Sequence, residues 1–165
     1  MLAGLHTGLL GALHGPALAM CLVIDTEDTG VFPIGMLTTV PLLVCTVFGE
    51  KRKRGFGWFL SDAPRQAFIQ LLGATPVKTL ADALLDCAIQ AALDRGEDGT
   101  FLLHADPNGG RHLVDFYVNK VRMRQLTEDS PPVTVLFRRF DDPSQYFHFD
   151  GIQAEAYCKD FDHRR

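Results

Sequence analysis

Apolar positions along the chain form a long uncharged opening, then two strand-like runs, then alternating helical and strand-like blocks. From Leu2 to Ile24 no residue is charged, the first charge being Asp25. A run of that length raises the question of a membrane span. Gly4-xxx-Gly8 and Gly11-xxx-Gly15 also carry the spacing that lets transmembrane helices approach. Against a span, His6, Thr7, His14 and Pro16 interrupt the run and no Lys or Arg flanks it. The basic n-region of a signal peptide is missing, and in "LAMC" Met20 stands where a lipoprotein cleavage box has a small residue. The pattern predicts a short helix stopped at Gly15-Pro16, then a buried strand over 18–24.

Beyond the turn "TEDTG", the apolar run from Val31 to Phe48 is too long for one strand, and Pro33 and Pro41 are expected to divide it into two hairpin-style strands. Lys51-Arg52-Lys53-Arg54, between Gly49 and Gly55, reads as a solvated loop, since four like charges repel and stay wet. "GFGWFL" follows as a strand. "SDAPRQAFIQLLG" predicts a helix with Ser61 or Asp62 as N-cap, Pro64 in its first turn and Gly73 past its end. A second helix is expected from Thr75-Pro76 to about Arg95. Its polar residues Asp82, Asp86, Gln90 and Asp94 recur every four positions as a narrow wet stripe, and Leu84 and Ile89 belong to its broad apolar surface. A strand over 100–104, a helix over 111–121, strand candidates "VTVLFRRF" and "QYFHFD", and a helix from Gly151 complete the series. That last helix should turn Ile152, Ala156, Tyr157 and Phe161 to one side. Strands first, then helix and strand in alternation, predict one mixed α/β sheet covered by helices.

Composition narrows the class. With 165 residues, 47% hydrophobic and 22% charged, the chain reads as a single globular domain able to bury a core. Its net charge of -4 argues against nucleic acid as the main partner. Cys21, Cys45, Cys87 and Cys158 lie far apart with no CxxC pair, which argues against a zinc site and for reduced, small core residues in a cytoplasmic protein.

The segment "LADALLDCAIQAALDRGEDGTFLLHADPNGGRHLVDFY" resembles the second half of the GNAT N-acetyltransferase superfamily, over about residues 76–126. Members have a glycine-rich loop opening a long helix, then a strand, then a helix with a tyrosine. The resemblance implies a largely antiparallel mixed sheet flanked by helices, acetyl-CoA as cofactor and a small-molecule or peptide amine as acceptor. It also leaves a homodimer open and gives no role to nucleic acid or membrane. The coenzyme A pyrophosphate would lie on the backbone N–H groups of Val77, Lys78, Thr79, Leu80 and Ala81 at the helix N-terminus. The family loop, Gln/Arg-x-x-Gly-x-Gly/Ala, falls on Pro76 to Ala81: Thr79 takes the place of the first glycine, and Ala81 fits the last position. Tyr117 matches the tyrosine that stands near the coenzyme sulfur, where a phenol can protonate the departing thiolate. Asn108 would meet the pantetheine arm, and Arg122-Met123 replace the family's Gly-Phe.

Other constellations are thinner. His104, Asp106 and His112 could bind a metal or act as acid and base, but Asp106-Pro107-Asn108-Gly109 is also ordinary turn chemistry, and no metal site is expected. No Gly-x-Ser-x-Gly elbow is present, and "GFGWFL" lacks the third glycine of a dinucleotide fingerprint. For the general base, Asp62, Asp106 and His104 are unranked candidates. The sequence thus predicts an acetyl-CoA-dependent N-acetyltransferase, with a catalytically silent GNAT-like binding module as the alternative and a membrane-anchored protein as a third reading.

Overall fold

The computed structural model describes residues 16–26, 30–73, 79–127, 132–133 and 142–164. The helix expected before Pro16 lies outside them, as does most of "VTVLFRRF". Strands β1 (Leu18–Thr26), β2 (Gly30–Val47) and β3 (Glu50–Asp62) come first, followed by helices α1 (Arg65–Leu72) and α2 (Leu80–Leu93). Strand β4 (Phe101–His104) leads to helix α3 (Gly110–Asp115), which continues as a wider turn of helix over Phe116–Lys120. Strands β5 (Arg124–Gln125) and β6 (Tyr146–Phe149) and helix α4 (Gly151–Lys159) close the chain.

The sheet order is β1-β2-β3-β4-β6-β5. Every neighbouring pair is antiparallel except β3 and β4, which run parallel. A parallel pair needs a crossover, and α1 and α2 supply it. On the helical side, Leu84, Leu85, Ala88 and Ile89 of α2 join Phe101, Leu103, Phe147 and Phe149 of the sheet in one buried cluster. The opposite side buries Val40, Leu43, Cys45, Phe56, Leu102 and Tyr146 with Leu126 and Val133.

The 31–48 run is one strand, not two, because both prolines sit at irregularities. The β1–β2 register slips between Leu22 and Val23, next to the Pro33 pairing, and the β2–β3 register slips between Val40 and Leu43, across Pro41. Pro41 is left outside the ladder, so its missing N–H costs nothing there. Pro33 stays paired with Val23, Ile34 being the residue skipped, and lies beyond the last β2–β3 pair, Gly35–Asp62. The basic run is also strand rather than loop. Alternation along β3 separates its charges: Lys51 and Lys53 are exposed, whereas Arg54 is 2% exposed. Arg54 donates to the carbonyls of Cys45 (3.1 Å) and Glu50 (3.2 Å) and to the Glu50 carboxylate (3.0 Å). Arg52 reaches Asp98 at 2.7 Å and Thr100 at 2.9 Å. A partnered guanidinium escapes the penalty that makes a bare charge stay wet.

Smaller corrections have local causes. Strand β1, expected to be buried, lies at the end of the sheet order, with Ala19, Cys21 and Val23 exposed and Met20, Leu22 and Ile24 half-buried. Ser61 and Asp62 stay in β3, and Pro64 caps α1, with Gly73 ending it at φ 56° as expected. In α2 the anticipated wet stripe is covered: Asp82 and Asp86 are buried, Asp94 is exposed, and Cys87 is the exposed residue within the helix. In α4 the buried positions are Ala154 and Cys158, while Ile152 is 82% exposed and Ala156 also faces outward. A capping box between Asp150 and Gln153 fixes where that helix starts, and thereby which side it turns inward. Of the four cysteines, Cys45 and Cys158 are core residues, but Cys21 and Cys87 are exposed.

Candidate functional site

The parallel ladder between β3 and β4 is short. It comprises Gly55–Phe101, Phe56–Leu102 and Gly57–Leu103, after which β3 runs on through Trp58–Asp62 unpaired with β4. The glycines explain the pairing. A Cβ on Gly55 would come within 2.6 Å of the Phe101 ring, and one on Gly57 within 3.1 Å of it, so the ring lies on bare backbone. From Trp58 onward bulky side chains return, and β4 ends at His104 before the Asp106-Pro107 turn. β3 and β4 are therefore paired at one end and no longer paired at the other, the parted end.

The first turn of α2 lies at the parted end. A Cβ on Gly35, which pairs with Asp62 at the tip of β3, would stand 3.8 Å from Leu80 and 3.1 Å from Leu84. Leu80 is 7% exposed and packs with Ile34 and Phe68, so its side chain is sealed. Ala81 is half-buried. Thr79, the N-cap, has φ 69°, the left-handed region in which a β-branched residue is strained. It occupies the place of the family's first glycine and keeps the geometry that a glycine would adopt freely. Val77 and Lys78 lie outside the described residues.

A carboxylate and a cation stand at this helix head. Asp82, in the first turn, is held by Lys120 Nζ at 3.1 Å and by the Tyr157 hydroxyl at 3.3 Å. Lys120 also lies 5.0 Å above the Phe116 ring. Burial, with the Asp82 carboxylate adding to it, pushes the Tyr157 phenol far above its ordinary range. Lys120 is not singled out by the sequence, and Tyr157 only as a packing residue of the last helix. Pairings 38 and 75 residues apart have no periodic signature, and only the tertiary fold brings α2, α4 and the 116–120 turn together.

Tyr117 lies in the widened turn, where the Val121 N–H donates to the Phe116 carbonyl (3.0 Å) and the Met123 N–H to the Tyr117 carbonyl (2.9 Å). Such wide turns within a helix occur often at functional sites. The Tyr117 ring is 2% exposed, 5.0 Å from Phe147 and 5.2 Å from Phe116. Burial raises its phenol well above the ordinary value, so it keeps its proton at neutral pH. Arg122, at the place of the family's glycine, has φ 67°. Asn108 is exposed and engaged locally: its backbone N–H and side-chain amide both donate to Asp106 Oδ1, at 2.9 and 3.0 Å.

The remaining candidates separate. Asp62 is exposed at the tip of β3, Asp106 is spent on the turn, and His112 is exposed on α3. His104 is buried at the end of β4, its ring 4.9 Å from Tyr146 in an edge-on contact. Among the described residues no group of three His, Cys, Asp or Glu could hold a metal ion, and no helix is long and apolar enough to cross a membrane.

No protein-family model matches the chain, and no curated protein matches it. Among solved structures, a chain of the KacTA–DNA complex is similar, with a TM-score of 0.55 and 12% identity over 95% of this chain and 85% of that one. At that identity the likeness speaks for the fold alone. The strand order, the single parallel pair and this neighbour agree that the chain has a GNAT-like fold, a mixed and largely antiparallel sheet flanked by helices.

Proposed function

We propose that the protein is an acyl-CoA-dependent N-acyltransferase, with acetyl-CoA as donor and an amine as acceptor. The observation that carries this reading is the parallel β3–β4 pair that parts after three residue pairs, with the head of α2 at the parted end. In this reading the pyrophosphate lies at the head of α2, where the helix dipole favours an anion. The acyl arm enters between the strands, Asn108 borders it, and proximity supplies much of the rate. Tyr117, protonated, gives its proton to the departing thiolate. Lys120 offsets the Asp82 charge that an incoming phosphate would meet.

The test is calorimetric binding of acetyl-CoA to the full chain, with Tyr117→Phe as comparison. Binding should be nearly equal in the two, while turnover with an accepted amine should fall about 10²–10⁴-fold in the variant. A second reading, a silent GNAT-like module, is favoured by the Thr79 side chain at the glycine position and by the depth of Tyr117. It predicts no acetyl-CoA binding. A net charge of -4 gives no support to a DNA-binding role like that of the KacTA complex.

A further inference from the structure

Resting on the acyltransferase reading, the geometry points to His104 as the base that deprotonates the acceptor amine, acting from the sheet face opposite Tyr117. Side chains alternate along a strand, so neighbouring residues of β4 face opposite ways. Leu103 and Ala105 belong to the helix-side cluster, together with Tyr117. Leu102 belongs to the opposite cluster, and His104 shares its side, meeting Tyr146 of that same cluster edge-on at 4.9 Å. His104 is also the first β4 residue past the last β3–β4 pair, Gly57–Leu103. Facing it across the parted strands, Trp58 of β3 packs on the same side as His104. An acyl arm between the strands would then have its proton donor, Tyr117, on one face and a buried imidazole on the other.

Asp62 and Asp106, the rival bases, lack this placement, since one is exposed at the strand tip and the other holds Asn108. Among the described residues, the exposed Asp142 carboxylate interacts with His104, and Asp106 lies two residues along the chain.

The proton balance closes. The acceptor arrives as an ammonium and gives one proton to the His104 imidazole. The freed nitrogen lone pair attacks the thioester carbonyl carbon, forming C–N. As the tetrahedral intermediate collapses, C–S breaks and the thiolate takes the Tyr117 proton. The second N–H proton restores the phenol, and His104 releases its proton to water. An amide and free coenzyme A result.

The experiment uses the full chain with isotope-labelled histidine and acetyl-CoA as probe. Acetyl-CoA should shift the His104 imidazole resonance, assigned by its loss in His104→Gln. Calorimetric affinity should stay within about twofold in that variant, and thiol release with a panel of primary amines should fall about 10²–10⁴-fold. Absence of acetyl-CoA binding by the unmodified protein overturns the acyltransferase reading and this inference with it. Binding that leaves the His104 resonance unmoved overturns the inference alone, as does turnover in His104→Gln within about threefold of the parent. The resonance is read on the unmodified protein, so a variant that folds poorly does not shield the inference.

Discussion

Thr79 and Arg122 stand where the resembled family has glycines, and both keep the left-handed backbone, at φ 69° and 67°. A side chain there costs roughly 1–2 kcal/mol per residue, because Cβ crowds the following carbonyl. Arg122→Gly should therefore raise stability by about 1 kcal/mol in urea titration, the gain reduced by glycine's larger unfolded-state entropy. An unchanged or lower midpoint would mean that the arginine side chain holds the turn by other contacts. Thr79→Gly should relieve the same strain and also tighten acetyl-CoA binding, since bare backbone lets a phosphate come closer. His148 makes a separate residue-scale prediction. Burial, with Arg54 assisting, lowers its imidazole to about 4 in the folded state, against an ordinary value of about 6.5. The unfolded chain thus binds the extra proton first, so its contribution to stability is whole above about pH 6.5 and is lost as pH falls toward about 4. The melting temperature should drop across that window, and His148→Gln should flatten the drop.

At the scale of elements, the difference between an expected wet stripe and a covered one decides what α2 tolerates. Asp82→Ala removes the partner of Lys120 and Tyr157 and should cost about 1–3 kcal/mol, whereas exposed Asp94→Ala should stay within about 0.5. Equal thermal shifts for the two would show that the Asp82 contacts contribute nothing. Leu84→Asp should unfold the domain, because an unpaired charge in the core costs several kcal/mol against roughly 5–15 in total. The β3–β4 pairing is equally exacting. Gly55→Ala would press a methyl group to 2.6 Å from the Phe101 ring and should cost about 1–3 kcal/mol by overpacking. Helix caps were readable at this scale where the cap is a local pattern, as with Gly73 after α1. They were misread where a neighbouring strand claimed the residue, as with Ser61 and Asp62, because pairing with Met36 and Gly35 outweighs capping.

For the molecule as a whole, the four thiols report the packing of both faces. Cys21 on β1 and Cys87 on α2 are exposed, whereas Cys45 and Cys158 are buried, and burial raises the Cys45 thiol despite Arg54 beside it. A thiol reagent at neutral pH should therefore modify Cys21 and Cys87 quickly and the other two only on denaturation. Rapid modification of all four in the native protein would contradict the two-sided core. The same two-sidedness underlies the mechanism proposed above, since Tyr117 and Phe147 belong to one side and Tyr146 and His104 to the other.

Sequence alone determined what local rules govern. Alternation and helical period located β1, "GFGWFL", α1, α2, β4, β6 and α4 and implied one mixed sheet. Tertiary structure decided whatever depends on partners distant in the chain. It kept β2 whole by placing Pro41 in a bulge and Pro33 beyond the end of the β3 ladder, and it turned the basic run into strand by giving Arg54 and Arg52 acceptors. It buried Asp82 against Lys120 and Tyr157, and it set His104 apart from Asp62 and Asp106. One physical reason covers Arg52, Arg54 and Asp82. Whether a polar group stays wet depends on the partner that meets it, and that partner comes from another element.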